Sequence, residues 1–199
     1  MSGAPLRIAA IVLAAGRSTR MGPHNKLLAD IGGKSMVRHV AEAALASRAA
    51  PVLVVTGHMA ADVGAALDGI DVTLVSNPDY ASGLAGSLKA GIRALPAHCD
   101  GALILLGDMP GIRAAHLDAL IGAFAADSIV VPVRAGRQGN PVLWPVRYFS
   151  DLLHLDGDAG AKRLLAAHQG NVCEFDLSTD AIFADIDTPE ALARLRQGN

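Results

Sequence analysis

The sequence predicts an α/β fold with a mostly parallel sheet covered on both faces. Three observations carry that reading. Short aliphatic runs alternate with helical apolar patterns over the first two-thirds of the chain, and parallel strands need crossovers of that kind. Hydrophobic residues make up 51% of the sequence but aromatics only 4%. Ala, Val, Leu and Ile must therefore fill the core, as they do in aliphatic strands buried on both faces. The length of 199 residues suits one domain with one sizeable core.

Residues 8–13 read as the first strand. Gly32-Gly33 read as a turn with Lys34 solvated, and a helix follows over 35–47. Its residues Met36, Val37, Val40, Ala44 and Leu45 fall on one face. Residues 52–55 are a second strand, 60–67 a short helix and 72–75 a third strand. Asn77-Pro78-Asp79 is turn chemistry. The helix over 83–95 carries Leu84, Leu88, Ile92 and Leu95 on one stripe. A fourth strand, 102–106, ends at Gly107-Asp108-Met109-Pro110; a helix over 113–124 and a fifth strand over 129–133 follow. Residues 134–138 read as a hairpin loop leading to 141–144, with helical segments over 146–153 and 159–168. Two short strands, 172–175 and 183–186, precede a closing helix over 189–196, where Pro189 suits a first turn.

Composition excludes several classes. The net charge is −2, with 18% charged residues, so no basic excess exists to neutralise a nucleic-acid backbone. Cys99 and Cys173 form no CxxC pair and read as thiols of a reducing compartment. The seven histidines form no HExxH pattern. No apolar run approaches the ~20 residues of a membrane span. Arg7 with the run after it has the outline of a short signal peptide, but that run leads straight into a charged loop, so the expectation is cytoplasmic.

That loop is the first candidate site. The first strand ends in Leu13-Ala14-Ala15-Gly16, followed by Arg17, Arg20, Met21-Gly22 and Lys26. Three fixed cations and a small-residue turn leave one strand end together. They suit a polyanion such as a nucleoside triphosphate, because glycine lets backbone N–H groups approach phosphate and arginine forks match its oxygens. Dinucleotide and P-loop signatures fail: there is no GxGxxG, and for Gly33-Lys34-Ser35 the first P-loop glycine would fall at Leu28. Asp108, at the carboxyl end of a predicted strand, suits a magnesium ion on phosphates. Asp187 is either a helix N-cap before Thr188-Pro189 or the second carboxylate of such a site, with Asp185 as a substitute. The glycines of 83–88 permit close approach of a ring or ribose at a helix start, and Gly139-Asn140-Pro141 and 157–161 are further Gly-rich segments.

Taken in order, LAAGRSTRMGPHNKLL, TGH at 56–58, NPDYASGLAGSLKAGI, LGDMP, GNPVLW, GDAGAK and DIDTPEAL resemble the MobA-like nucleotidyltransferases, and within them the MocA-like molybdenum cofactor cytidylyltransferases. The resemblance runs over 8–195. It implies a Rossmann-like three-layer α/β/α nucleotidyltransferase domain. It further implies transfer of a nucleoside monophosphate from CTP or GTP, with magnesium, to a terminal phosphate of molybdopterin, releasing pyrophosphate. Carried over by position, Leu13, Ala14, Ala15 and Gly16 would hold base and triphosphate. Arg17 and Arg20 would contact phosphates and Lys26 the α-phosphate. Gly83 and Ser87 would lie near ribose or base. Asp108 would bind magnesium with Asp187, and Asn140 and Asp158 would face the acceptor. Lys26, Arg20 and Asp108 are the expected catalytic set. Ala15 resembles the cytidylyltransferase form of the first motif, where the guanylyltransferase branch usually reads LAGG. One departure is Lys162, where the family usually has Arg; it keeps the charge but loses the bidentate fork. A molybdenum hydroxylase or its chaperone is the further partner implied. Two alternatives stay open: the same fold with GTP or another acceptor (a sugar, alcohol or lactate phosphate), or a non-catalytic protein that delivers the cofactor.

Overall fold

The computed structural model describes residues 5–17, 25–156, 160–186, 188 and 190–193. In chain order the elements are β1 (Ile8–Ala14), β2 (Asp30–Ile31), β3 (Lys34–Ser35), α1 (Met36–Leu45), β4 (Val52–Thr56), α2 (Ala60–Ala65), β5 (Thr73–Ser76), α3 (Leu84–Arg93), β6 (Gly101–Leu106), α4 (Ala114–Gly122), β7 (Ile129–Arg134), β8 (Arg137–Gln138), β9 (Val142–Pro145), α5 (Phe149–Leu153), α6 (Gly160–Ala167) and β10 (Val172–Asp176). The main sheet runs β5-β4-β1-β6-β9-β7-β10, with β8 paired onto β7. Pairs β5·β4, β4·β1, β1·β6 and β7·β10 are parallel. β9 alone among these strands runs against both of its neighbours, β6 and β7. The expectation of a mostly parallel α/β sheet therefore holds.

All seven residues of β1 are buried, as a central strand covered on both faces requires. Its side chains alternate between two cores. Ala10, Val12 and Ala14 pack with Val37 and Val40 of α1, Val63 of α2 and Leu117 of α4. Ile11 and Leu13 pack with Leu88 and Ile92 of α3, Leu152 of α5 and Leu164 of α6. The result is three layers, and the carboxyl ends of β1, β4, β5 and β6 open on one rim. In such sheets that rim is where ligands bind.

The hairpin expected over 134–138 is present. Arg134 pairs with Arg137 across Ala135 and Gly136, whose φ values are 50° and 75°. Two consecutive left-handed residues make a primed turn, whose twist matches that of the strands. A second hairpin, β2–β3, was not expected. Gly32 and Gly33 have φ of 60° and 86° and close it, and Lys34 is solvent-exposed as expected while its Nζ donates to Glu42 Oε2 at 2.6 Å. The strand expected over 183–186 is a correction. Its first residue ends a 3-10 turn, Asp180–Phe183; Ala184 N–H then donates to Ala181 carbonyl at 3.3 Å and Ile186 N–H to Asp108 carbonyl at 3.0 Å. With these N–H groups bonded to a turn and a loop, the stretch joins no strand ladder among the described residues. Residues 190–193 are helical, in line with the expected closing helix; the rest of that helix lies outside the described residues.

Candidate active site

The site starts where β1 ends. Leu13, Ala14 and Ala15 are buried, and Gly16 and Arg17 emerge exposed. Two neighbours hold this turn through its backbone: Gly107 N–H donates to Leu13 carbonyl at 3.0 Å, and His58 N–H donates to Ala15 carbonyl at 3.1 Å. The chain after the loop is anchored by Asn25, which is buried. Its Oδ1 accepts from Leu27 N–H at 3.1 Å, capping the 3-10 turn Lys26–Leu28. Its Nδ2 lies 3.5 Å from His58 carbonyl.

This anchoring aims Lys26 across the rim at Asp108, two residues past β6. Lys26 Nζ donates to Asp108 Oδ2 at 2.6 Å, with side chains 13% and 17% exposed. Two residues expected separately on the α-phosphate and on a metal thus meet directly. Asp108 Oδ1 is buried and accepts no hydrogen bond from any of the described residues. A buried carboxylate oxygen without a donor is costly unless a cation serves it. That atom is a hard oxygen of the kind magnesium takes, so the residues present fit the expected metal. Among the described residues there is no group of three or more His, Cys, Asp or Glu that could hold an ion. Asp187 lies outside the described residues, but its neighbour Ile186 is tied to the Asp108 backbone. Arg20 and Asp158 also lie outside the described residues.

The start of α3 forms the second wall. Gly83 has φ of 108°, a value L side chains rarely adopt, and turns the chain into the helix. Ser87, one turn in, is buried. Its hydroxyl accepts from Asn77 Nδ2 at 3.1 Å, while Asn77 Oδ1 accepts from Asp79 N–H at 3.2 Å. Because the amide oxygen is committed to Asp79, the amide nitrogen must face Ser87, and the Ser87 proton stays free to donate elsewhere. In the sequence Asn77 reads as turn chemistry and Asn25 is not among the candidate residues. The signal for both was an amide beside a glycine-rich or cationic motif.

Beyond Asp108 lies a cleft of about 1070 Å³. Leu106 and Met109, flanking Gly107-Asp108, line one end, and Leu84 of α3 lies against it. Asn140 lines it, as do Lys162 of α6 and Asp185. Asn140 and Lys162 therefore line one cleft next to the loop that carries Asp108; Asp158, the other residue expected at the acceptor, lies outside the described residues. Arg137 and Phe183 also line it and had not been singled out in the sequence.

The family of MobA-like NTP transferase domains matches this chain over residues 10–172. The chain is 33% identical to Purine catabolism protein PucB of Bacillus subtilis (strain 168), over 94% of its own length and 95% of the relative's. It is 30% identical to Nicotine blue oxidoreductase of Paenarthrobacter nicotinovorans, over 94% and 96%. Among solved structures it is similar to a nucleotidyl transferase, Mth528, of Methanothermobacter thermautotroptrophicus, with TM-score 0.86, 26% identity and 96% and 97% of the two chains covered. It is also similar to Rv0371C of Mycobacterium tuberculosis H37Rv in complex with manganese, with TM-score 0.81, 27% identity and 97% and 100% covered.

Proposed function

From the premise that this chain belongs to the family of MobA-like NTP transferase domains and is a nucleotidyltransferase, we propose that it moves CMP from CTP to the terminal phosphate of molybdopterin, releasing pyrophosphate with magnesium. The observation that carries this reading is the Lys26–Asp108 pair at 2.6 Å, set at the carboxyl ends of two adjacent parallel strands and beside the cleft of about 1070 Å³. The manganese in the Rv0371C structure supports a divalent ion, and the motif order supports the MocA-like branch.

In the reaction, an oxygen of the acceptor phosphate forms a bond to the α-phosphorus. The bond from that phosphorus to the bridging oxygen breaks, and its electron pair leaves on pyrophosphate. The acceptor oxygen is already anionic at neutral pH, so no strong base is needed and catalysis is positioning plus charge neutralisation. The backbone of Leu13, Ala14, Ala15 and Gly16 takes the base and triphosphate, with Gly83 and Ser87 on the ribose or base side. Arg17 and Arg20 hold the leaving pyrophosphate. Lys26 swings from Asp108 to the α-phosphate and neutralises charge building there. Asp108 and Asp187 would hold the magnesium ion, which supplies Lewis-acid polarisation of the α-phosphate. Asn140 and Asp158 position the acceptor. Ala15 favours CTP over GTP. The setting is cytoplasmic, with a molybdenum hydroxylase or its chaperone downstream; no helix among the described residues is long and apolar enough to cross a membrane.

Lys162, standing where the family usually has Arg, favours a second reading in which the same transfer acts on another phosphorylated acceptor. Pyrophosphate release from CTP with purified molybdopterin, measured for wild type, Lys26→Ala and Asp108→Ala, tests the assignment. Each variant is expected to lose at least ~10²-fold in turnover, the scale of one charge-stabilising group. Near-normal turnover in Asp108→Ala would remove the metal assignment.

A further inference from the structure

The hairpin that enters the cleft carries a row of polar side chains with different fates. Arg134 is neutralised by Asp180 at 2.7 Å, and Gln138 bonds Glu174 at 2.9 Å. Arg137 forms an ion pair with none of the described residues; its guanidinium lies over the Phe183 ring, 4.4 Å from the centroid. Both residues line the cleft.

The seat under Arg137 is rigidly built. The turn bearing Phe183 docks on the loop after β8: Asn140 N–H donates to Ile182 carbonyl at 3.0 Å, and Gly139 N–H donates to Pro132 carbonyl at 2.8 Å. A Cβ on Gly139 would sit 2.5 Å from the Ile182 carbonyl oxygen, so Gly139 is there to allow this contact. The turn that carries Phe183 is therefore pinned by its backbone to the loop after β8, and the ring lies beneath the Arg137 guanidinium carbon. Lys162 also lines the cleft and pairs with none of the described residues, while Asp185 is the one carboxylate among the described lining residues. Among the described lining residues these three groups sum to one net positive charge. Its remaining lining is largely aliphatic, including Val131, Val142 and Leu165.

A guanidinium plane with one face on an aromatic ring leaves its other face for a second flat group. Stacking needs a conjugated ring, and the local charge favours an anion. We infer that Arg137, seated on Phe183, is an acceptor-binding residue that stacks on a flat, anionic heteroaromatic ring, with Lys162 neutralising that ligand's charge. The inference rests on the reading of this cleft as the acceptor site.

Direct binding of pterin-6-carboxylate to the full chain, followed by the ligand's own fluorescence, tests it, with cyclohexanecarboxylate as the non-planar anion. Wild type is expected to bind the pterin and to bind cyclohexanecarboxylate much more weakly. Arg137→Ala and Phe183→Leu each weaken pterin binding at least about 5-fold, the order of a partly desolvated cation–π contact, while CTP affinity and the unfolding midpoint stay put for Arg137→Ala. Arg137→Lys behaves like Arg137→Ala, because an ammonium has no plane to stack. Unchanged pterin binding in Arg137→Ala, full recovery in Arg137→Lys, equal affinity for the two anions, or no pterin binding by wild type would each overturn the inference. The two readings fail separately. Pterin binding that depends on Arg137, without CTP turnover, faults the proposed reaction; turnover with Arg137-independent pterin binding faults the stacking role.

Discussion

Breaking the Lys26–Asp108 pair one side at a time, and then both sides together, reports on how tightly the site is coupled. The two atoms are 2.6 Å apart, with side chains 13% and 17% exposed. That places the pair between two limits. An exposed ion pair contributes about 0–1 kcal/mol, whereas removing one partner of a fully buried pair costs roughly 3–5 kcal/mol. Partial exposure lets water screen the charge left behind, so each of Lys26→Met and Asp108→Asn is expected to cost about 2 kcal/mol. Lys26→Met is the harsher change, because Asp108 Oδ1 already accepts no hydrogen bond from the described residues and the variant removes the ammonium from Oδ2 as well. The double variant removes both charges and should cost clearly less than the sum, leaving a coupling of about 1–2 kcal/mol. Urea unfolding of the four proteins measures this, provided the slope against denaturant stays constant. Additive costs within about 0.5 kcal/mol would refute the coupling, and with it the view that one ammonium holds the carboxylate in place. Turnover separates stability from chemistry: the double variant regains stability but stays inactive.

Other outcomes follow from the same geometry. Gly139→Ala forces a Cβ to 2.5 Å from a backbone oxygen and should cost about 1–3 kcal/mol of stability, read by thermal unfolding, while weakening pterin-6-carboxylate binding because the Phe183 turn must shift; an unchanged melting temperature would contradict the packing. Glu42 carries hydrogen bonds from Lys34 and Arg38, and the Lys34 bond is the leading cause that holds its carboxyl below the usual range. Its contribution is therefore present above the unfolded value of about 4.3 and lost as pH falls through the lower folded value. The stability difference between wild type and Glu42→Gln should shrink on acidification below pH ~4, as measured by unfolding across pH. A difference that grows on acidification would reverse the sign.

Much of the fold was legible because aliphatic strands and amphipathic helices announce their periods. The apolar run over 8–13 and the stripe over 83–95 are read directly from the sequence, and they correspond to β1 and α3. The 183–186 stretch misled because it is apolar apart from Asp185, and local hydrophobicity does not say whether a backbone will find a ladder. Its partner Asp108 is distant in sequence. The β2–β3 hairpin was hidden by its size, since two-residue strands have no period. Within the site, the chemistry-bearing types were visible one by one: Lys26, Asp108, Asn140. Their pairing was not. That Lys26 reaches Asp108 depends on β1 and β6 being neighbours, a fact of topology. Arg137 escaped notice because its importance lies in what it lacks, an ionic partner among the described residues, and in the ring of Phe183 beneath it.

The most direct measurement is product formation by the purified chain from CTP, GTP, ATP and UTP, each with molybdopterin, with and without magnesium. The expected products from CTP are a molybdopterin cytosine dinucleotide and stoichiometric pyrophosphate, formed only with the metal and abolished in Asp108→Ala. Product from GTP alone, or none from any nucleotide, would contradict the proposed reaction.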